Sequence, residues 1–539
     1  MAYRLRILQG NWTKFLLLCK INIRRLMMSN DFHSAINIRE SYKWGICMKK
    51  RIRLFLTILV IAALVFQSLI FMQFNSVLAD AKKEIVVYFP NWATYISTNN
   101  NFAVGDIPWD KVTAINHAFF KIADDFTIQT TDEYADFQKV FEHSGNNQLK
   151  GHFGEYKYYK AVYPDVKLII SIGGWTESKK FHEMALTAAN RKVFIDSILE
   201  LFKTYPFVDG VDLDWEYPGV SRADCPGGPE DKQNFTTLLK EIRQAYEDNK
   251  LYDKLLTIAA SAGASTIMKA EPDKYAEYLD FINIMAYDMH GAWDTITNHH
   301  SPLYAKDGLS VDDAVRVFTD KYGVPASKLV IGTPYYSKGW KDVPDTENHG
   351  LGVSGSSNLE GTVGPGGQNT YFRMKELEAM TGVFTKYWDD AAKATYLYSP
   401  TLHEMYTYED KRSIGERCKY VIDNNCGGIM VWTIAYDDKA DDFPLTSLIA
   451  ERFGIGSVVT PTPAKVLLGD LNGDGNVNSI DFGYFRMYLL GTIKDFPIEN
   501  DLKAADLNGD GNINSIDYGY FRMYLLGTIK EFPASQFGK

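Results

Sequence analysis

The stretch Phe207-Val208-Asp209-Gly210-Val211-Asp212-Leu213-Asp214-Trp215-Glu216-Tyr217-Pro218 decides the reading of this chain. It reads as a buried strand, Phe207 to Asp214, that ends in a line of acids. Side chains alternate along a strand, so Asp212, Asp214 and Glu216 share one face while Val211, Leu213 and Trp215 share the other. Burial and like charge both favour a protonated carboxyl group, so three stacked acids cannot all ionise comfortably at neutral pH. At least one is expected to hold a proton, as a general acid must. A solvated acidic loop or a calcium loop would offer the same acids without the alternating apolar partners.

Outward from this strand, short apolar runs alternate with amphipathic stretches, the pattern of a parallel β/α architecture. Candidate strands are Glu84 to Phe89, Val112 to Phe120, Lys167 to Ile172, Phe207 to Asp214, Leu255 to Ser261, Phe281 to Ala286, Leu329 to Tyr335 and Gly428 to Thr433. Eight such runs predict an α/β fold, a TIM (β/α)8 barrel, with its chemistry at the C-terminal ends of the strands. Arg191 to Tyr205 and Asp231 to Asn249 carry apolar residues at helical spacing. The last two strands are separated by a much longer segment, with a Gly-rich region His349 to Gly367, then Tyr371 to Met380 and Ala394 to Tyr408. Residues 341–409 are therefore expected to form an α+β insertion subdomain walling one side of a cleft. The run Gly361 to Gly367 lacks the Lys-Ser/Thr of a phosphate loop.

The spacing D-G-x-D-x-D-W-E-Y-P resembles the signature of glycoside hydrolase family 18, the chitinases and their relatives. Ser171-Ile172-Gly173-Gly174-Trp175 resembles that family's S-x-G-G segment, and Met285-Ala286-Tyr287-Asp288 its sixth-strand terminus. The resemblance implies that Glu216 is the acid, that Asp214, Asp212 and Tyr287 complete the catalytic set, and that Met285 and Asp288 meet substrate. It further implies that Trp432 floors the cleavage point and that Trp175 and Trp293 line the leaving-group side. Tyr335-Tyr336-Ser337-Lys338-Gly339-Trp340 differs from the Tyr-Gly-Arg of many relatives; Lys338 offers a cation there without the forked geometry of arginine.

An ordinary retaining glycosidase needs a second carboxylate about 5 to 5.5 Å from the acid, across the sugar. Asp214 lies beside Glu216 on one face, poorly placed for that attack. The resemblance resolves this by substrate assistance, in which the substrate's own 2-acetamido group is the nucleophile and no catalytic cofactor is needed. It implies hydrolysis of β-1,4-linked N-acetylglucosamine polymers with retention. The resemblance leaves two alternatives open, an endo-β-N-acetylglucosaminidase acting on N-glycans and an inactive chitin-binding lectin.

The net charge of −10 is unevenly spread: residues 1 to 79 hold 12 Lys/Arg against 2 Asp/Glu, the remainder 45 against 65. An acidic body disfavours a nucleic-acid partner. From Met48, the basic run Lys49 to Arg53, the apolar stretch Leu54 to Met72 and the exit Val77-Leu78-Ala79-Asp80-Ala81 describe a signal peptide over 48–81. A secreted, extracellular protein with no membrane contact after cleavage is expected; an uncleaved anchor is the other reading. Residues 1–47 are expected to be a gene-model extension, with the catalytic barrel over 82–454. Of five cysteines, Cys225, Cys418 and Cys426 lie in the body and give no disulfide framework or zinc spacing.

At the other end, Asp470-Leu471-Asn472-Gly473-Asp474-Gly475-Asn476-Val477-Asn478-Ser479-Ile480-Asp481 recurs 36 residues later as Asp506-Leu507-Asn508-Gly509-Asp510-Gly511-Asn512-Ile513-Asn514-Ser515-Ile516-Asp517. Oxygen side chains at loop positions 1, 3, 5, 9 and 12, a backbone carbonyl at 7 and Gly at 6 suit calcium. The expected ligands are Asp470, Asn472, Asp474, Asn476, Asn478 and Asp481, then Asp506, Asn508, Asp510, Asn512, Asn514 and Asp517. Asp at position 12, with expected helices Tyr484 to Leu490 and Tyr520 to Leu526, resembles a type I dockerin. That resemblance implies two calcium ions and a cohesin module on a scaffold protein as partner. The dockerin is expected over 466–534, after a Thr-Pro-rich linker at 455–465.

Overall fold

The computed structural model describes residues 82–97, 101–144, 149–456, 467–472, 476–493, 496 and 504–536. The expected extension 1–47, the signal peptide 48–81, Asp474 and all of the linker beyond Gly456 lie outside the described residues.

Eight strands close into a parallel barrel: β1 (Glu84–Pro90), β2 (Ala114–Ile122), β4 (Lys167–Gly173), β5 (Gly210–Asp214), β6 (Leu255–Ser261), β7 (Ile282–Met285), β8 (Leu329–Pro334) and β13 (Gly428–Trp432). The order runs β1-β13-β8-β7-β6-β5-β4-β2, and pairing of β1 with β2 closes the ring. A short strand β3 (Ile128–Thr130) adds antiparallel to β2.

Period-two patterning creates two cores. Val86, Tyr88, Ala114, Ala118, Ile169, Val330 and Met430 fill one buried cluster. Ile85, Val87, Ile115, Ile170, Val211, Leu213, Ile258, Ile331 and Ile429 fill the other, shared with the surrounding helices. Each fully buried aliphatic side chain contributes about 1.5–3 kcal/mol, so the alternation fixes register. Among these helices, Ala188–Thr204 is capped by Thr187, whose side chain accepts from Asn190 N. Lys411–Asp423 is capped by Asp410, and Pro444–Phe453 opens on proline and closes at Gly454 with φ +67°.

The acid strand is shorter than the sequence pattern predicts. It begins at Gly210 because Asp209 spends its side chain on the neighbouring strand, accepting from Leu168 N at 2.7 Å and pairing with Lys160 at 2.7 Å. It ends at Asp214, so Glu216 stands beyond the strand rather than on its face.

The insertion is a four-stranded antiparallel sheet, β10 (Thr385–Asp389), β11 (Ala394–Ser399), β12 (Glu404–Tyr408) and β9 (Lys338–Trp340), with a helix at Tyr371–Glu378. Its first strand starts three residues ahead of the expected boundary, where Lys338 pairs with Thr407. The C-terminal module has its own core of Leu471, Phe485, Phe496, Ala504, Ala505, Leu507, Phe521 and Phe532. Its helices are Ser479–Leu489 and Ser515–Leu525, starting five residues earlier than expected because Asn478 and Asn514 cap them.

Candidate active site

Asp212 is fully buried, and four donors converge on it. Oδ2 accepts from Tyr88 Oη at 2.7 Å and Ser171 Oγ at 2.9 Å; Oδ1 accepts from Thr257 Oγ1 at 2.7 Å and Asn283 Nδ2 at 3.3 Å. Burial raises its pKa, and the four donors oppose that rise. Asp214 has no such support: Oδ1 is buried without a hydrogen-bond partner. Burial, then the charges of Glu216 and Asp212, push its pKa well up and favour its protonated form. Glu216 is raised to about 7, chiefly by burial, against a hydrogen bond from Tyr217 and the charge of Arg222. An acid poised there can give up a proton and take it back near neutrality.

The turn into Glu216 is built on glycine and serine. A Cβ at Gly173 would lie 2.2 Å from the Asp214 carbonyl oxygen, and its φ of +115° is closed to other residues. Gly174 N donates to that carbonyl at 2.8 Å. Ser178 Oγ accepts from Glu216 N at 2.8 Å and donates to Gly174 O at 2.9 Å. Trp215 points away into the core and stacks on Phe181 at 5.2 Å.

Past the end of β7, the phenol of Tyr287 feels the charges of Asp214 and Glu216, and burial with those charges keeps it protonated. Its hydroxyl is 3.9 Å from Met430 Sδ. Asp288, at φ +55°, accepts from Tyr336 Oη at 2.7 Å and pairs with Lys338 at 3.3 Å and His300 at 3.6 Å. Burial alone would raise its pKa; His300, Lys338 and Tyr336 outweigh it and hold Asp288 ionised. Lys338 thus supplies a cation to Asp288, and it also lies over the Trp293 ring at 5.4 Å.

Residues 84–437 match the glycosyl hydrolases family 18, and residues 468–526 match the dockerin type I domain. The chain belongs to glycoside hydrolase family 18. Chitinase A1 of Niallia circulans is 34% identical over 489 residues, covering 81% of this chain and 68% of that protein. The structure of chitinase ChiA74 from Bacillus thuringiensis superposes with a TM-score of 0.64 at 31% identity, covering 71% of each chain. The Ostrinia furnacalis Group IV chitinase in complex with allosamidin gives a TM-score of 0.62 at 29% identity, covering 70% of this chain and 100% of that one.

In this family 18 hydrolase Trp432, at the end of β13, is half-buried and stacks on Phe119 at 5.6 Å and 19°. Tyr88 at 5.6 Å and Trp92 at 6.4 Å complete an aromatic bed. Trp175 and Trp293 are 57% and 59% exposed, too open to be core filler. Met285, the last residue of β7, is half-buried against the cluster that holds Tyr287 and Trp432. Sequence reasoning missed Tyr88, Thr257, Asn283, Ser178, His300, Trp92 and Phe119. No local pattern marks Tyr88, Thr257, Asn283, Trp92 or Phe119, because each meets its partner from another strand or across the barrel's closing edge; Ser178 and His300 lie closer in sequence to theirs but outside any recognised motif.

The dockerin domain repeats its loop chemistry. In the second loop Asp506 accepts from the backbone N–H of Gly509, Asp510 and Gly511, and Gly511 sits at φ +81°. Asp517, fully buried, accepts from Leu507 N at 3.0 Å and Asn514 N at 3.0 Å; Asp481 accepts from Leu471 N and Asn478 N at 2.9 Å each. Asn478 and Asn514 also cap helices, each accepting at 2.8 Å from Ile480 N and Ile516 N. An all-oxygen set around a glycine at position 6 fits calcium.

Proposed function

We propose that this family 18 enzyme is a secreted chitinase that cleaves β-1,4-linked N-acetylglucosamine polymers with retention through substrate assistance. One observation carries the reading: Glu216 stands two residues past Asp214, which ends β5, and the half-buried Tyr287 lies within the field of both. Glu216 protonates the glycosidic oxygen as the C1–O bond breaks. The 2-acetamido carbonyl oxygen bonds to C1 and forms an oxazolinium ion. Asp214 accepts the acetamido N–H while sharing its proton with Asp212, and Tyr287 donates to the acetamido oxygen. Glu216, now a carboxylate, takes a proton from water as that water attacks C1 and opens the ring. Asp288 and Met285 meet the sugar, Trp432 floors the cleavage point, and Trp175 and Trp293 line the leaving-group side.

The dockerin is proposed to bind two calcium ions, one through Asp470, Asn472, Asp474, Asn476, Asn478 and Asp481, the other through Asp506, Asn508, Asp510, Asn512, Asn514 and Asp517. Calcium there supplies folding free energy to a module with a small core. Its helices then present a surface to a cohesin module of an extracellular scaffold.

The test follows products of N-acetylglucosamine hexamer by mass and anomeric NMR. Fresh β-anomer from the hexamer, and no cleavage of the fully deacetylated oligomer, is the expected result. An intact hexamer, or fresh α-anomer, overturns the reading.

A further inference from the structure

Six residues beyond Glu216, the loop 218–228 carries a cation that the mechanism above does not use. Arg222 N donates to Cys225 O at 2.9 Å and Cys225 N returns to Arg222 O at 3.2 Å, forming a tight turn over the buried Cys225. Asp231 fastens both ends of the loop, accepting from Gly219 N at 3.1 Å and Gly228 N at 2.9 Å. Asp231 is itself buried, 2.6 Å from His182 Nδ1. Arg222 is therefore held by a built support.

The Arg222 guanidinium lies 3.8 Å from the centroid of the Trp175 ring, and its Nη2 donates to the Trp175 carbonyl at 2.6 Å. Its Nε is buried without a partner. Trp175 follows directly on Gly173 and Gly174, and one face of its ring is covered by the guanidinium while the residue remains 57% exposed.

We infer that Arg222 is a positioning residue of this cleft: it backs the Trp175 indole, so that the open face is held ready for an N-acetylated sugar, and it brings a positive charge to the loop that follows the acid. The inference rests on the chitinase reading and adds a residue to it. An unsupported indole would have to be ordered when sugar binds; stacking under a planar cation orders it beforehand. The charge has a second effect. The groups facing Glu216 are Asp214, Tyr217, Tyr287, Asp288 and Arg222. Asp288 favours the protonated acid, and Arg222 favours its carboxylate.

The test compares the full chain with Arg222→Met, Arg222→Lys and Trp175→Ala, using steady-state kinetics on the hexamer across pH and thermal melts for folding. Arg222→Met is expected to raise KM about three- to tenfold with kcat little changed. It is also expected to move the alkaline limb of kcat/KM upward by roughly half a pH unit. Arg222→Lys should restore the limb and only part of KM, because lysine lacks the planar fork. In the Trp175→Ala background, Arg222→Met should no longer change KM yet still move the limb. A folded Arg222→Met with parental KM and limb overturns the inference alone. If Arg222→Met fails to fold, an Arg222→Lys protein with parental KM overturns it. A parent that leaves the hexamer intact removes the chitinase reading and this inference together.

Discussion

The Tyr88 hydroxyl on β1 donates to Asp212 Oδ2 on β5 at 2.7 Å, joining strands that stand three apart around the barrel. With Ser171, Thr257 and Asn283 it fills the acceptor sites of a carboxylate whose side chain never meets water. Hydrogen bonds to charged groups are worth about 1.5–3 kcal/mol. Tyr88→Phe should therefore lower kcat roughly ten- to hundredfold, with KM within about twofold, because Asp212 takes up a proton more readily and supports Asp214 less well. Steady-state rates on the hexamer check this.

Removing the acid is a harsher change. Glu216→Gln keeps the shape of the side chain and deletes the proton it is proposed to deliver, so kcat should fall by about 10²–10⁴. Hexamer binding, measured by calorimetry, should survive within a few-fold; loss of binding would place Glu216 in ground-state recognition instead.

Acidity and stability are linked at the same residue. The native state raises Glu216 to about 7 from an ordinary value of 4.5. The stabilisation from that tighter proton is complete below pH 4.5 and is lost as pH rises through 7. Relative to the parent, Glu216→Gln should thus be equally stable at pH 4 and gain up to about 3 kcal/mol by pH 8. The barrel's thermal transition at several pH values reads this directly. If Glu216 is the acid proposed above, an alkaline limb of kcat/KM near pH 7 is expected from the same group.

Gly173→Ala tests the backbone beneath the acids. The new methyl would fall 2.2 Å from the Asp214 carbonyl oxygen, in a region of φ that alanine avoids. Loss of at least about 3 kcal/mol or of soluble protein is expected. A variant with parental melting and activity would show that the turn yields.

Calcium chelation should separate the two modules. Adding excess EDTA to the full chain is expected to abolish dockerin helicity and cohesin capture while hydrolysis of soluble hexamer continues. Asp517→Ala, which removes a buried carboxylate bonded to three backbone N–H groups, should weaken the dockerin even with calcium present.

Much of this was legible in sequence because it is local. The alternation of Val211 and Leu213 with Asp212 and Asp214 marks strand and site together, and the eight barrel strands lie within a few residues of their expected bounds. The repeat at a 36-residue offset marks the dockerin. The misreadings are tertiary. Val208 and Asp209 look like strand, but the Leu168 N–H goes to the Asp209 side chain, and regular pairing begins only at Gly210. Glu216 continues the period-two pattern on paper, but β5 stops at Asp214. The partners of Asp212 come from 41 to 124 residues away, and those of Trp432 from across barrel closure, distances over which no periodicity speaks.

The pairing of Lys338 with Thr407 has an evolutionary corollary. Because the chain leaves the barrel on β9 and returns on the adjacent β12, the excursion between them begins and ends at one doorstep. Such a segment can change at its exposed turns while the β9–β12 pairing and the side chains it packs into the shared core, among them Tyr371, Met374 and Leu397, stay in place. Altered turns grafted onto this excursion are therefore a route by which chain-length preference can be tuned while Asp212 and Asp214 stay fixed on β5.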